Sequence, residues 1–542
     1  MARIAGSLLL LLALLTAASA PGSPLNQEEV EQPYDIIIRD GRIVDGSGNP
    51  WYSGDVAIRS GRIARIGRLQ GADAARVVDA KGLVVAPGFV DIHTHVSTAL
   101  PERPDARNLI ADGVTSIVSG NCGDSKLNLR AWFAGLEESG VAVNVSSLIG
   151  HNSVRRAVMG SDKRAPTTEE LRQMKALVAT GMEDGAIGFS TGLVYVPGTY
   201  ADTEEVVALA RVAAQYGGLY ATHMRDEGDK IFEAIEESLT VAREAGLPLQ
   251  ISHFKQLNKL HWGESPQMLD RIEQARAEGI DVTLDQYPYT ASSTRLGRML
   301  PPWALAGGEE ATKRRLANPL ERQKIVDEML ARNRETLGYE HLDYAVVAEA
   351  KWDPSLEGKS LRDINRLWNR EDELAAEIET TLDLMAKGFV RMVYHRMNED
   401  DVVRILRHPL TMVARDGGVP AYGEGKPHPR SYGTAARVLG RYVREKSVLS
   451  LEEAIRKLTS LPSQRAGFQD RGLLREGMWA DIVIFDPETV GDAATFEDPH
   501  QYSHGIHSVL VNGELVMDDG EPTSARPGQI LRHRLVRQTR GN

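Results

Sequence analysis

The chain has 542 residues, with 63 Lys+Arg against 75 Asp+Glu for a formal charge of −12, and is 42% hydrophobic and 25% charged. Such a composition excludes a disordered tail protein, a collagen-like repeat and a multi-span membrane protein, and its acidic balance argues against a surface built for nucleic acid phosphates. The single cysteine, Cys122, excludes an intrachain disulfide.

In chain order, Arg3 precedes an apolar run from Leu8 to Leu15 and the small-residue stretch Ala17-Ala18-Ser19-Ala20. This is the pattern of a cleaved secretory signal over residues 1–20. The run falls well short of the ~20 apolar residues of a bilayer span, so the expectation is export, periplasmic or secreted, with no stable membrane span after cleavage. The competing reading is an uncleaved anchor, which Pro21 after the expected cleavage point favours.

Residues 34–86 read as short β-branched runs broken by glycine turns, such as Ile36-Ile37-Ile38 before Asp40-Gly41 and Val56-Ala57-Ile58 before Ser60-Gly61. Residues 470–542 repeat the style, with Ile482-Val483-Ile484-Phe485 and a turn pair Asn512-Gly513 between apolar runs. Both ends therefore read as parts of one small β domain.

Between them, residues 87–469 alternate helices with buried strands. Thr167 to Glu170 makes a capping box, Asp202 opens a helix carrying Val206, Leu209, Ala210 and Ala213, and a third helix near Ile231 to Ala245 stops at Gly246. Units of about thirty residues with short connections are what a parallel (β/α)8 TIM-like barrel requires. The alternative is an open doubly wound sheet, weakened by the lack of a Gly-rich phosphate fingerprint. Charged helical sequence from about 295 to 387 interrupts the alternation and reads as an inserted subdomain, or as ordinary barrel helices with long loops.

Candidate chemistry falls at strand ends. In Phe89-Val90-Asp91-Ile92-His93-Thr94-His95, period two puts both imidazoles on one face. At the carboxyl end of a barrel strand that face meets the active-site mouth, where neutral imidazoles suit Zn2+ or a similar ion. His223 and His253 each close a predicted strand, one strand-helix unit apart. Cys122 follows Ser116-Ile117-Val118 among glycines and polar residues, a poor setting for a core thiol and a reasonable one for a metal-bound thiolate. Asp416 closes Met412-Val413-Ala414-Arg415 and would face a reacting water as general base and acid.

These segments, together with Gly120-Asn121-Cys122-Gly123, Gly188-Phe189-Ser190-Thr191-Gly192, Ile251-Ser252-His253-Phe254-Lys255, Asp285-Gln286-Tyr287-Pro288-Tyr289 and His428-Pro429-Arg430, resemble the amidohydrolase superfamily. Within it the chain closely resembles the N-acyl-D-amino-acid deacylases (D-aminoacylases), over nearly its whole length after residue 20. The resemblance implies a (β/α)8 barrel with a β-sandwich and zinc at the mouth. Cys122, His223 and His253 would hold the tight metal and His93 and His95 a second, weaker position. Asp416 would be the base and acid, while Lys255, Tyr287 and Arg430 would bind the carboxylate of a small anionic N-acyl amino acid. Ser190 stands where cyclic-amide hydrolases show a carbamylated lysine, which favours the thiolate variant. One departure is Arg415, where members usually carry a small hydroxyl residue. His151, in a further family-like loop, is read as non-catalytic. The rival expectations are a cyclic-amide or X-D-amino-acid dipeptide hydrolase and, from another class, a catalytically dead binding barrel.

Overall fold

Eight short, fully buried strands carry the middle of the chain around a closed barrel. They are β1 (Phe89–Asp91), β2 (Val114–Ser119), β3 (Asn144–Ser147, continued by Ile149–Gly150), β4 (Gly188–Gly192), β5 (Leu219–His223), β6 (Leu249–Ile251), β7 (Val282–Gln286) and β8 (Thr411–Val413). The computed structural model describes residues 33–533, so the expected signal segment lies outside the described residues.

All the ladders between β1 and β3, and between β3 and β8, are parallel. Closure comes where β8 returns to β1. Thr94 and Gly417 form a parallel bridge, His95 N–H donates to Gly417 O at 2.8 Å, and Asp416 N–H donates to His93 O at 2.9 Å. That closure decides for the barrel over the open sheet, and it sets two predicted site segments side by side.

Local sequence signals account for the helices around it. Thr167 and Glu170 form the reciprocal capping box of helix Thr168–Glu183. The Asp202 side chain accepts from Glu205 N–H to start Thr203–Gln215, and Gly246, at φ 72°, ends Ile231–Ala245. The apolar stripe Val206, Leu209, Ala210 and Ala213 is buried in the barrel core.

Both chain ends meet in one nine-stranded sheet, where Val84–Pro87 runs parallel to Tyr34–Ile43 and antiparallel to Ile482–Phe485. Ile36, Ile38, Val56, Ile58, Ile482, Ile484 and Leu510 fill the core of this β-sandwich domain. The insertion between β7 and β8 has an antiparallel three-stranded sheet, Ser292–Arg295, Arg391–Tyr394 and Ala345–Glu349. Its own core, including Leu316, Ile325, Ile378 and Leu382, marks it as a subdomain rather than long loops.

His151 belongs to this scaffold. Its Nε2 lies 2.8 Å from Glu205 Oε1, and the same carboxylate binds the Arg155 guanidinium, all three side chains being buried. Glu205→Ala would strand a guanidinium in the interior. The expected cost is about 3–5 kcal/mol, read as a fall in Tm with the site geometry untouched.

Candidate active site

Five strand ends deliver the predicted groups to one place. His93 and His95 follow β1, Cys122 follows β2, His223 ends β5, His253 follows β6 and Asp416 follows β8. Cys122 Sγ lies 3.3 Å from His93 Nε2, 3.7 Å from His223 Nδ1 and 3.6 Å from His253 Nε2. Asp416 Oδ1 lies 2.8 Å from His95 Nε2 and 3.4 Å from His93 Nε2. His95 sits at the rim, with 36% of its side chain exposed, whereas the other ligand candidates are buried.

Backbone conformation aims three of these side chains inward. Cys122, His253 and Asp416 adopt the left-handed region, at φ 53°, 37° and 48°. Each such residue costs about 1–2 kcal/mol when it is not glycine, and each turns the chain out of a strand while its side chain stays in the mouth. The Cys122 turn needs its flanking glycines. A Cβ on Gly120 would stand 2.2 Å from Leu148 O, and one on Gly123 2.5 Å from Asn152 Oδ1. Ser190 clamps the same turn, donating to Gly120 O and accepting from Gly123 N–H.

Three buried acids absent from the sequence-based site support the first set. Glu227 lies 3.2 Å from His223 Nε2, 2.9 Å from His253 Nδ1 and 2.5 Å from Lys255 Nζ. Asp285 lies 3.3 Å from His93 Nδ1, and accepts from His253 N–H at 2.7 Å and from Gln250 Nε2 at 2.8 Å. Asp91 accepts the His93 N–H at 3.1 Å. The only available signals were the four-residue step from His223 to Glu227 and the position of Asp285 within a strand.

Arg415 turns away from the mouth into the barrel. Its guanidinium lies 3.1 Å from Asp91 and 2.6 Å from Asp112, both buried, so it anchors β8 against the element after β1 and leaves Asp416 alone. Burial nevertheless pushes the Asp91 carboxyl up to about 6, against the opposing charge of Arg415.

The electrostatics favour charged donors. Burial opposes ionisation of Cys122, but the charge of His93 and hydrogen bonds from His223, His253 and His93 hold its thiol well below the ordinary range. Asp416 is likewise buried and kept well below the usual carboxylate range, by Arg430 first and then His93 and His95. Burial drives the Tyr287 phenol well up, so it remains a donor.

Of the three predicted carboxylate binders, Arg430 and Tyr287 face the Asp416 side. Arg430 Nη2 lies 3.0 Å from Asp416 Oδ2 and its guanidinium stands 4.5 Å from the Tyr287 ring centre. Arg430 Nη1 and Tyr287 Oη are buried without hydrogen-bond partners. Neutral His428, its pKa depressed by burial and then by Arg430, accepts the Arg430 N–H at 3.0 Å at the start of helix Arg430–Arg437. Lys255 is placed differently. Besides Glu227, its Nζ meets His253 O at 2.8 Å and His253 Nδ1 at 2.9 Å, and it reaches the Tyr287 ring at 5.6 Å. Its ammonium donates to Glu227 and to His253 O, and its charge compensates Glu227.

The spacing of the Cys122 sulfur from two imidazoles fits a metal ion. Bonds of about 2.3 Å to sulfur and 2.0–2.1 Å to nitrogen at tetrahedral angles separate ligand atoms by about 3.6 Å, and the sulfur of Cys122 stands 3.7 and 3.6 Å from His223 Nδ1 and His253 Nε2. A second group of donors, on His93, Cys122, His253 and Asp416, lies within 4.8 Å of one another.

Comparison with known proteins gives the same picture. The model of a family described as "Amidohydrolase family" matches residues 76–318 and 372–517. The N-acyl-D-glutamate deacylase of Alcaligenes xylosoxydans xylosoxydans is 38% identical over 93% of this chain and 97% of its own length. The D-aminoacylase of the same organism is 38% identical over 92% of this chain and 98% of its own. Among solved structures, the N-acyl-D-glutamate deacylase of Bordetella bronchiseptica, complexed with zinc and a phosphonate mimic of the tetrahedral intermediate, is 36% identical. It superposes with a TM-score of 0.79, covering 92% of this chain and 100% of that one.

Proposed function

Because the chain belongs to the amidohydrolase family, we propose that it hydrolyses the amide bond of N-acyl-D-amino acids, giving a carboxylate and a free D-amino acid with zinc as cofactor. The observation that carries this reading is the meeting of one thiolate and four imidazoles with Asp416 and Arg430 at the carboxyl ends of the barrel strands. The Bordetella relative, solved with zinc and a tetrahedral-intermediate mimic, supports both the metal and the acyl-transfer chemistry.

Cys122, His223 and His253 would hold the tight zinc, and His93, His95 and Asp416 border the second position. When bound, zinc supplies Lewis acidity that polarises an amide carbonyl and acidifies water towards a pKa of about 7. Asp416 takes a proton from the attacking water on its Oδ1. As the C–N bond breaks it returns that proton to the departing nitrogen. Arg430, through its unpartnered Nη1, and the Tyr287 hydroxyl receive the substrate α-carboxylate beside Asp416, while the charge of Lys255 adds to the same field. Asp285 and Glu227 keep the imidazoles oriented.

The test is a panel of N-acetyl-D- and N-acetyl-L-amino acids beside dihydropyrimidines and X-D-amino-acid dipeptides, with metal analysis of the same preparation. Turnover confined to the D-acyl amino acids by zinc-containing protein is expected. Turnover of cyclic amides alone would replace the reading. Glu227→Gln keeps the shape but removes the charge facing His223 and His253, and is expected to lower zinc affinity about 10–100-fold in chelator competition.

We also propose export. The support is Arg3, the Leu8 to Leu15 run and Ala17 to Ala20. Among the described residues no helix is long and apolar enough to cross a membrane. Amino-terminal sequencing of the mature protein after cell fractionation checks this, with a start near Pro21 expected.

A further inference from the structure

The insertion brings a group of cations to the mouth that the deacylation reading leaves unused. Its strand Ser292–Arg295 lies against the site. Ser293 O accepts from Arg430 Nη2 at 3.3 Å, and Thr294 Oγ1 donates to Tyr195 Oη at 3.2 Å. The Tyr195 ring packs edge-on against His223, 4.8 Å between centres. The chain then turns at once into the short helix Leu296–Met299, which carries Arg298.

Two further arginines arrive from other parts of the same subdomain. Arg332 opens the turn Arg332–Thr336, which is tied to the loop after β6 by a 2.8 Å bond from Asn258 Nδ2 to Thr336 O. Arg396 follows strand Arg391–Tyr394. Its Nη2 reaches Leu257 O at only 3.4 Å, and its Nε is buried without a partner. Leu257 N–H is itself bonded to Glu227 O at 2.7 Å, so Arg396 stands directly behind the metal-ligand loop.

These guanidiniums lie close enough to repel one another. Arg298 is held below the ordinary arginine range by burial and by Arg396. Arg332 is pushed down to about 10 by burial, then by Arg298 and Arg396. Among the described residues none of the three forms an ion pair. The carboxylate that acts on both Arg298 and Arg332, Asp226, is bound by the N–H groups of Gly228 at 2.8 Å and Lys230 at 3.1 Å. Yet all three residues are half-buried rather than sealed. Desolvated, mutually repelling cations are unfavourable until a negative group joins them, and planar guanidiniums match a carboxylate with paired hydrogen bonds.

We propose that Arg298, Arg332 and Arg396 form a subsite for a second carboxylate of the substrate, so that the preferred substrates carry two negative charges. This rests on the deacylase reading and names the substrate class within it. One carboxylate lies at Arg430 and Tyr287 and the other at the arginine cluster. The second can come from the side chain of an acidic D-amino acid or from a dicarboxylic acyl group. Overall identity does not decide whether the substrate is acidic, since the N-acyl-D-glutamate deacylase and the D-aminoacylase are both 38% identical to this chain.

The test compares kcat/KM within two charged and neutral pairs. N-acetyl-D-glutamate against N-acetyl-D-glutamine probes the side chain, and N-succinyl-D-leucine against N-acetyl-D-leucine probes the acyl group. In at least one pair the charged member is expected to be favoured about 100-fold, as a charge-assisted pair of hydrogen bonds allows. Arg298→Gln should collapse that ratio and Arg298→Lys should retain part of it. Equal rates within both pairs, or a ratio undisturbed in Arg298→Gln, overturn the subsite while leaving the deacylase reading intact. Glutarate against butyrate in a thermal-shift titration reads the subsite without turnover. If no N-acyl-D-amino acid is hydrolysed the deacylase reading falls. The subsite then stands if glutarate raises Tm in the wild type and not in Arg298→Gln, and falls if it does not.

Discussion

Replacing Asp416 by asparagine is expected to lower kcat for N-acyl-D-amino acids by about 10²–10⁴-fold, the contribution of a positioned acid–base group, with the zinc content of the protein retained. The substitution is nearly isosteric, and asparagine tolerates the left-handed backbone found at φ 48° better than most residues. An amide oxygen can still accept from His95 Nε2 at the observed 2.8 Å. What it cannot do is take a proton from the attacking water and return it to the departing nitrogen. It also removes the anion facing Arg430 at 3.0 Å, so binding of an anionic substrate should not weaken, and the loss should appear in kcat rather than KM. Steady-state kinetics with metal analysis on the same sample decide the matter. A variant within tenfold of wild type would move the acid–base role to another residue.

Removing the Cys122 thiolate should do more. Cys122→Ala takes the only sulfur from a cluster in which His93, His223 and His253 all lie within 3.7 Å of it. It also leaves alanine in a left-handed turn at φ 53°. Zinc affinity is expected to fall by more than the about 10²-fold of an outer-shell change, and hydrolysis to fall with it. Cys122→Ser separates the two effects, because serine keeps the shape and the backbone cost while offering a far weaker ligand. Both variants should therefore lose metal in dialysis, and both should keep the circular dichroism of the folded barrel. Zinc retained at one equivalent with wild-type turnover would dissociate Cys122 from the centre.

The supporting groups show where a linear reading stops. Glu227 and Asp285 are two of the chain's 75 acidic residues, and only a step of four from His223 and a place in a strand mark them locally, neither of which says what they would touch. Their importance comes from barrel closure, which sets Asp285 on β7 under the His253 backbone and His93, and folds the loop after β5 so that Glu227 meets two imidazoles and an ammonium. Lys255 shows the same limit from the other direction. Its motif points to a carboxylate binder, but the partner it meets first is Glu227, which no spacing rule announces.

What the sequence by itself determined is what depends on short-range pattern. Strand and helix alternation, the caps at Thr167 and Asp202, and the placing of His93, His223, His253, Cys122 and Asp416 at strand ends are all functions of neighbours within about one element. Tertiary structure alone decided which buried carboxylates steady the ligands, that Arg415 serves the barrel interior, and that Arg298, Arg332 and Arg396, from separate parts of an insertion, come within electrostatic reach of one another. The physical reason is that hydrophobic periodicity is written along the chain, whereas the energy of a buried charge depends on groups hundreds of residues away that folding brings within a few ångströms.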